Sequence, residues 1–383
     1  MMADLFTRCP ENPIVTPGRY PWRMSNTFNP GALYEDGTFY LYERTAGGLR
    51  PFHCYIGLLQ SDDGVHFTQV GNEPVFTPAM AGSEYGSVQD PRVVKIEDTY
   101  YMTYAYRPYA WNSHPTGLGV PESYEEHFPG FDGDSKKNQT RSGIAISRDR
   151  VHWEHLCWAT PPDVDDRDVI LFPEKVAGRF VMFRRPLQYV SPDHSKLEAT
   201  KGQARSPGIV ITFSKDLQTW EDTQLLISPE QPWEGTQSDG TGRIGGSTPP
   251  IKTNAGWLVI YHGVETTYPP TKRVVYRLGA MMLDLEHPEK VLARCTDFIM
   301  EPQTYYEKVG LYIPNVVFAT GNVIVDGIVH LYYGVCDTAI ALATIPLEQL
   351  VAHVMKEPVW CTSAQLTGTQ SQHEDRRYHP VRL

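Results

Sequence analysis

The sequence predicts an all-β protein, a five-bladed β-propeller with a short C-terminal helix. Two observations support this prediction: a strand–turn–strand pattern recurs five times, and a Ser-x-Asp turn followed by an aromatic residue recurs three times. Internal repeats at long spacing are typical of repeat architectures, and four-stranded repeats arranged in a ring form a propeller. We therefore expect a single propeller domain over residues 1–383.

The first pattern is a short apolar run, a turn that usually contains Gly, and a second run rich in aromatic residues. Asp-Gly and related turns between such runs are typical of β-hairpins. The five copies cover residues 32–42, 93–104, 175–183, 250–261 and 323–333. Successive copies begin roughly 60 to 80 residues apart, which leaves room for a second hairpin in each unit.

The second pattern supplies that hairpin in three of the units. It covers residues 61–67, 147–153 and 214–220, and each copy follows a short apolar strand. Two hairpins per unit make a four-stranded blade, and five units close a propeller. The alternative is an unrelated β-sandwich with similar hairpins.

One segment has helical periodicity. One face of this helix would carry the apolar residues Leu347, Leu350, Val351, Val354 and Met355. We therefore expect a short helix packed outside a blade.

Two segments, residues 106–141 and 187–207, are longer than a tight propeller needs. Long ordered loops are usually lids or binding loops, and the alternative is a pair of surface insertions.

Composition excludes several classes of protein. With 34 basic and 45 acidic side chains, the net charge of −11 disfavours nucleic-acid binding. No apolar run approaches the roughly 20 residues of a membrane helix. The first ten residues lack the apolar stretch of a signal peptide, and the six cysteines are scattered. We therefore expect a cytoplasmic protein with reduced thiols.

The innermost strands of a propeller line its central channel, so the hairpin ends converge at one mouth. These ends carry Glu43, Arg44, Asp90, Arg92, Arg184, Arg185, Tyr261, His262 and Asp337. Aromatic rings and carboxylates suit a sugar ligand.

The common catalytic motifs are absent from the sequence: the nucleophile elbow, the zinc-protease motif and the phosphate loop. The Gly-rich residues 242–246 are interpreted as a turn. No histidine spacing suggests a metal site. Carboxylate chemistry on a glycosidic bond is the remaining hypothesis.

Several strings resemble glycoside hydrolase family 130. They cover residues 90–93, 171–176, 256–264, 278–285 and 314–318, and the resemblance extends from about Asn29 to Asp337. The resemblance implies a five-bladed propeller that acts on β-mannosides. Most characterised members are inverting phosphorylases, and a minority are inverting β-mannosidases.

The resemblance also implies roles for individual residues. Asp90 is expected to be the catalytic acid, which passes its proton through a hydroxyl of the bound mannosyl unit. Asn29, Arg44 and Asp337 are expected to hold the mannosyl ring. The alternatives are a turn carboxylate before Pro91 and side chains that only brace a blade.

At the family's phosphate-contacting positions the chain carries Arg167, Asp168, Arg185, His262 and Tyr276. Phosphate is the nucleophile of an inverting phosphorylase, so cationic and hydrogen-bonding groups are expected around it. Two features weaken this interpretation. Asp168 stands where some phosphorylases have Asn, so it would repel phosphate or pair with Arg167. Glu265 could activate water if it faced the channel.

We therefore expect an inverting phosphorylase that cleaves a β-mannoside, a manno-oligosaccharide or mannosyl-glucose, with inorganic phosphate to give α-mannose 1-phosphate. It would need no metal and no cofactor, with phosphate as co-substrate. The alternatives are an inverting β-mannosidase that uses water and a non-catalytic carbohydrate-binding propeller. No nucleic-acid or membrane partner is expected. The sequence sets neither linkage nor acceptor, and it is compatible with a homo-oligomer.

Overall fold

The computed structural model describes residues 5–110, 128–132, 135–162, 164–187, 189–190, 197–198, 208–236, 242–267 and 273–356. Five antiparallel sheets surround a central channel, and each sheet is one blade. The predicted five-bladed β-propeller is confirmed, and so is its short C-terminal helix.

The strands follow one another blade by blade along the chain. The first strand is β1 (Thr7–Arg8). Blade 1 contains β2 (Asn26–Glu35), β3 (Thr38–Ala46), β4 (Cys54–Ser61) and β5 (Thr68–Gln69). Blade 2 contains β6 (Ser87–Ile96), β7 (Thr99–Arg107), β8 (Arg141–Ser147) and β9 (Glu154–Trp158).

Blade 3 begins with β10 (Asp166–Leu171) and β11 (Phe180–Pro186), which are followed by a separate hairpin of β12 (Tyr189–Val190) and β13 (Leu197–Glu198). It ends with β14 (Ile209–Ser214) and β15 (Trp220–Ile227). Blade 4 contains β16 (Arg243–Gly246), β17 (Ile251–Thr253), β18 (Gly256–Thr267), β19 (Arg273–Leu283) and β20 (Val291–Arg294). Blade 5 contains β21 (Val317–Val325), β22 (Ile328–Val335) and β23 (Ala339–Pro346).

The helices of the described residues are short. Helix α1 (Tyr305–Lys308) precedes blade 5, and helix α2 (Leu347–Val354) follows it. Three 3₁₀ turns cover Pro78–Ala81, Ser135–Asn138 and Pro232–Glu234. As expected, α2 buries its apolar face, through Leu350 and Val354, against the outside of blade 5. None of these helices is long and apolar enough to cross a bilayer.

The N-terminal strand closes the ring. Strand β1 pairs with β23, with Thr7 opposite Thr344 and Arg8 opposite Ala343. Arg8 also donates through Nε to the fully buried Glu307 at 2.7 Å. Closure by a strand from the opposite end of the chain covers the outer edge of blade 5, which would otherwise be open for pairing.

Local sequence signals explain the hairpins. Asp36-Gly37 has φ values of 52° and 80°, and Asp326-Gly327 has φ values of 49° and 75°. Two consecutive positive φ values match the twist of a hairpin, and Asp and Gly tolerate them best. In the Ser-x-Asp turns the Asp carboxylate accepts backbone N–H groups, as Asp63 does from Val65 at 2.9 Å. One interpretation was wrong: residues 243–246 form strand β16 rather than a turn, because they pair with β18.

Ion pairs link successive blades near the tips of the inner hairpins. Lys95 of blade 2 bonds Glu35 of blade 1 at 2.5 Å, and Lys175 of blade 3 bonds Glu97 of blade 2 at 3.0 Å. Hydrogen bonds from Lys95 and others outweigh the effect of burial and lower the pKa of Glu35 to about 2. Such exposed pairs contribute at most about 1 kcal/mol each, so the buried interfaces between blades supply most of the stability.

Much of the two predicted long loops, residues 106–141 and 187–207, lies outside the described residues. The described ends of the first loop pack an aromatic cluster, in which the rings of Tyr109 and Phe131 stack with centroids 4.0 Å apart.

Candidate active site

Three neighbouring inner strands have an irregularity at the same place. The pairing register shifts between Phe28 and Gly31 in β2, between Gln89 and Arg92 in β6, and between Arg167 and Ile170 in β10. Such bulges redirect side chains and are common beside active sites. At the three bulges lie Asn29, Asp90 and Asp168, with φ values of 45°, 50° and 51°. Asn and Asp tolerate this left-handed conformation better than other residues with a side chain.

The first two bulge residues meet around one carboxylate. Asp90 Oδ1 accepts hydrogen bonds from Asn29 Nδ2 at 2.8 Å and from Arg44 Nη1 at 2.9 Å. Burial alone would raise the pKa of Asp90, but the charges of Arg44 and Arg92 and the two hydrogen bonds lower it below its usual value. The structure thus brings three of the predicted site residues together, with Oδ1 occupied by protein donors.

Arg44 is held by groups that sequence reasoning did not identify. Its Nε donates to Cys54 Sγ at 3.3 Å, and its guanidinium carbon lies 4.5 Å from the ring centroid of Phe28 and 5.5 Å from that of Phe52. Cation–π contacts are strongest where water is excluded. Cys54 and both rings are buried, so Arg44 is preorganised before any ligand binds.

Asp337 lies in the turn between β22 and β23, with a φ of 50°. Its backbone oxygen accepts from Asn26 Nδ2 at 2.5 Å. Burial and the negative charge of Asp90 raise the pKa of Asp337 to about 7, although Arg44 opposes this. Two carboxyl groups beside one arginine cannot both ionise easily, so Asp337 keeps its proton to higher pH than an ordinary carboxyl group does. We call Asn29, Arg44, Asp90 and Asp337 the acid cluster.

A second cluster surrounds Asp168. Its Oδ2 accepts from Arg185 Nε at 2.7 Å, its Oδ1 accepts from Arg92 Nη2 at 3.2 Å, and His262 Nε2 lies 3.6 Å from Oδ2. Burial opposes ionisation of Asp168, but the charges of Arg185 and Arg92 hold its pKa well below the usual range. Asp168 is therefore an ion-paired carboxylate and a weak base.

Arg185 has an unused donor. Its side chain is 6% exposed, and within the described residues its buried Nη1 has no hydrogen-bond partner. An unpaired buried donor costs about 1–3 kcal/mol, so such a group indicates a place where a ligand acceptor fits. The guanidinium geometry favours an oxyanion.

His262 completes this cluster with Tyr276. Burial and the nearby arginines lower the pKa of His262 to about 3, although Asp168 opposes this, so the imidazole is neutral. Its Nδ1 lies 3.3 Å from Ser247 Oγ, and its ring stacks on Tyr276 with centroids 6.1 Å apart. The Tyr276 hydroxyl accepts from Arg243 Nη2 at 2.7 Å, a cation that the sequence did not single out. We call Asp168, Arg185, His262 and Tyr276 the anion pocket.

The alternative of an ion pair between Arg167 and Asp168 is not seen in the structure. Arg167 pairs with Asp165, from Nε to Oδ1 at 3.1 Å, and not with Asp168. The backbone bulge after Arg167 separates the directions of the two neighbouring side chains. With 27% of its side chain exposed, Arg167 lies nearer to solvent than Arg185.

The hairpin-end residues do not all face the channel, because successive side chains of a strand point to opposite faces. Three hairpin-end residues face away from the site, and each is bonded to a buried side chain. Glu43 accepts from Arg23, Arg184 donates to Asp166, and Tyr261 donates to Glu234. These three residues directly precede Arg44, Arg185 and His262. Of each two neighbours in the sequence, therefore, only the second belongs to the site.

Glu265, three positions beyond His262, lies on the opposite face of β18. It accepts from Arg277 Nη1 at 2.6 Å. It is therefore not arranged to activate water in the channel.

Among the described residues, no group of three His, Cys, Asp or Glu side chains is close enough to hold a metal ion.

A five-bladed propeller that places the acid cluster beside the anion pocket has the arrangement expected of an enzyme that acts on glycosidic bonds. The chain belongs to glycoside hydrolase family 130, whose sequence model matches residues 6–148 and 135–357 and is described as β-1,4-mannooligosaccharide phosphorylase. The family predicted from the sequence is confirmed.

Characterised relatives cover nearly the whole chain. A 1,2-β-oligomannan phosphorylase from Thermoanaerobacter sp. (strain X514) is 33% identical over 90% of this chain and 98% of its own length. A β-1,2-mannobiose phosphorylase from the same organism is 31% identical over the same shares. The structure of β-1,2-mannobiose phosphorylase from Listeria innocua matches with a TM-score of 0.68 and 24% identity over 92% of this chain and 99% of its own. At that identity the structural match supports the fold.

Proposed function

We propose that the protein is an inverting β-mannoside phosphorylase, which uses inorganic phosphate to release α-mannose 1-phosphate from a non-reducing end. The observation that carries the proposal is the unpaired Nη1 of buried Arg185, in a pocket with neutral His262 and next to the acid cluster. Family membership and relatives named as phosphorylases point the same way.

The acid cluster supplies the proton. Asn29 and Arg44 occupy Asp90 Oδ1, which leaves Oδ2 to exchange a proton with a hydroxyl of the bound sugar. Burial raises the pKa of Asp90, but Arg44 and Arg92 hold it below its usual value, so a nearby negative charge favours protonation of Asp90. Bound phosphate provides that charge. Protonation of the acid is thereby linked to the presence of the nucleophile.

The reaction then follows from the two clusters. Phosphate, held by Arg185, attacks the anomeric carbon while the bond to the leaving oxygen breaks, and the proton from Asp90 reaches that oxygen through the sugar hydroxyl. A single displacement inverts the anomeric centre, so a β-mannoside gives an α-phosphate. No protein base is needed, because phosphate is itself the nucleophile.

Hydrolysis is the less favoured alternative. An inverting hydrolase needs a carboxylate base that activates water. Asp168 is a weak base because Arg185 and Arg92 hold its pKa well below the usual range. Glu265 is bonded to Arg277 on the other face of its strand. Neither carboxylate fits the role.

We propose β-1,2-linked mannosides as the first substrates to test, because both relatives above 30% identity with 90% coverage are named for 1,2 linkages.

We also propose that the protein is a single domain, lies in the cytoplasm and needs no cofactor, with phosphate as its co-substrate. A charged sugar phosphate does not cross a bilayer, so the cell keeps the product.

The test is product analysis on β-1,2-, β-1,3- and β-1,4-mannobiose, each with and without inorganic phosphate. We expect phosphate-dependent α-mannose 1-phosphate, with β-1,2-mannobiose turned over fastest. Free mannose without phosphate would replace the proposal with hydrolysis. No cleavage of any mannobiose or longer oligomannoside would contradict both.

A further inference from the structure

Arg92 lies where the acid cluster and the anion pocket meet, and its side chain is 2% exposed. Nη1 donates to the backbone oxygen of Asp90 at 3.0 Å, and Nε donates to that of Ser247 at 3.1 Å. Nη2 donates both to the backbone oxygen of Gly246 and to Asp168 Oδ1, each at 3.2 Å. All three nitrogens are therefore bonded to protein oxygens.

These four acceptors belong to three blades. Asp90 lies on the β6 bulge of blade 2, Asp168 on the β10 bulge of blade 3, and residues 246–247 at the end of β16 in blade 4. The guanidinium carbon also lies 5.6 Å from the ring centroid of Phe318 in blade 5. Backbone oxygens cannot move independently of their strands, so Arg92 fixes the positions of whole strands relative to one another.

This arrangement requires a planar fork. A lysine ammonium is a single charge on a flexible stem and cannot donate to three inner strands in fixed directions. Arg92 also differs from Arg185, which keeps a nitrogen unpaired for a ligand. Four of the five N–H groups of Arg92 donate to protein oxygens, which indicates a residue that mainly organises the site.

We propose that Arg92 is a positioning residue that holds the acid-bearing bulge of β6 at a fixed place relative to the anion pocket. The proposal rests on the proposed phosphorylase function, since it states what keeps the proton donor and the phosphate aligned across the anomeric carbon. Misplacement of reacting groups by about 1 Å costs about 100-fold in rate. A role of this kind affects the rate and the choice of nucleophile more than mannoside binding.

Electrostatics adds a second consequence. Burial has the largest effect on these groups, but the charge of Arg92 also lowers the pKa values of Asp90, Asp168 and His262. Loss of that charge would keep Asp90 protonated to higher pH. A neutral substitution would therefore move the alkaline limb of the pH–rate profile upward.

The test compares Arg92→Lys and Arg92→Gln with Arg294→Lys. Arg294 is a matched control, since it is buried and donates to Tyr261, Glu234 and the Ser228 backbone oxygen at the edge of blade 4. Four quantities are measured: kcat with KM for each substrate, the ratio of free mannose to mannose 1-phosphate, the pH–rate profile, and the rise in Tm caused by inorganic phosphate.

For Arg92→Lys we expect kcat to fall by about 100-fold with a small change in KM for the mannoside. The share of free mannose should rise, and the phosphate-induced rise in Tm should shrink. For Arg92→Gln the alkaline limb should also shift upward. Arg294→Lys should lower Tm without changing the other readouts.

The proposal is wrong if the Arg92 variants behave like Arg294→Lys in every readout, or if neither Arg92 variant folds while Arg294→Lys does. Failure of the proposed function would be seen in the wild-type protein alone, as no phosphate-dependent product and no phosphate effect on Tm. The two failures are thus distinguishable.

Discussion

Arg44 Nη1 lies 2.9 Å from Asp90 Oδ1, and this ion pair joins the second strand of blade 1 to the inner strand of blade 2. Burial has the largest effect on the pKa values of Asp90 and Asp337, but the charge of Arg44 lowers both, and the charge of Asp90 raises the pKa of Asp337. The protonation states of the two carboxyl groups are therefore linked. Proton donation by Asp90 is thus a property of the acid cluster rather than of one side chain.

Replacing Asp90 by Asn should lower kcat by about 1,000-fold, because a general acid contributes roughly 10²–10⁴ in rate. Folding should be nearly unchanged, since Asn tolerates the φ of 50° at this bulge. Without the charge of Asp90, Asp337 ionises more easily and balances Arg44. Steady-state kinetics and circular dichroism test both points. Activity close to that of the wild type would show that Asp90 is not the acid.

The raised pKa of Asp337 makes the stability of the folded protein depend on pH. The pKa of about 7 in the folded protein lies above the ordinary value of 3.8. The folded state therefore retains a proton that the unfolded chain loses, and the associated stability is present below about pH 4 and lost as the pH rises to about 7. Asp337→Asn cannot lose that proton, so its Tm relative to the wild type should increase between pH 5 and pH 8. A constant Tm difference across this range would contradict the raised pKa.

Local sequence signals predict the blades, whereas contacts between distant strands determine the rest of the site. The blades could be predicted because turns such as Asp36-Gly37 determine their hairpins locally. The family resemblance named Asn29, Arg44 and Asp90 as site residues, and the structure brings these three side chains together.

The remaining features depend on pairing between distant strands. The bulge at Asp168 exists only in the register of β10 with β11. The four bonds of Arg92 join residues up to 155 positions apart. The direction of Glu265 follows from alternation along β18, which the sequence leaves undefined until the register is known.

Arg185→Ala should raise the KM for phosphate by at least about tenfold, because a charge-assisted hydrogen bond contributes about 1.5–3 kcal/mol. The KM for the mannoside should change less. Arg184→Lys is the matched control, since the neighbouring Arg184 pairs with buried Asp166. An unchanged phosphate dependence in Arg185→Ala would place the anion elsewhere.

Gly334 tests the packing of the acid cluster. A Cβ at this position would lie 2.0 Å from Asn29 Oδ1 and 2.7 Å from the Asn29 backbone nitrogen. Gly334→Ala should therefore displace Asn29, lower kcat, and cost about 1–3 kcal/mol of stability through overpacking. Gly48→Ala is the control, because a Cβ there meets nothing within 4 Å. Equal kinetics for both variants would show that Asn29 does not position Asp90.

Asp168→Asn distinguishes phosphorolysis from hydrolysis by a single substitution. The amide keeps an acceptor oxygen for Arg185 and tolerates the φ of 51° at the bulge. Removing a negative charge from the anion pocket should lower the KM for phosphate, by roughly threefold to tenfold at an effective dielectric near that of a protein surface. If Asp168 instead activated water, the same change would remove the base and cost about 10²–10⁴ in rate. Phosphate titrations of both proteins, with free mannose and mannose 1-phosphate quantified separately, decide between these outcomes.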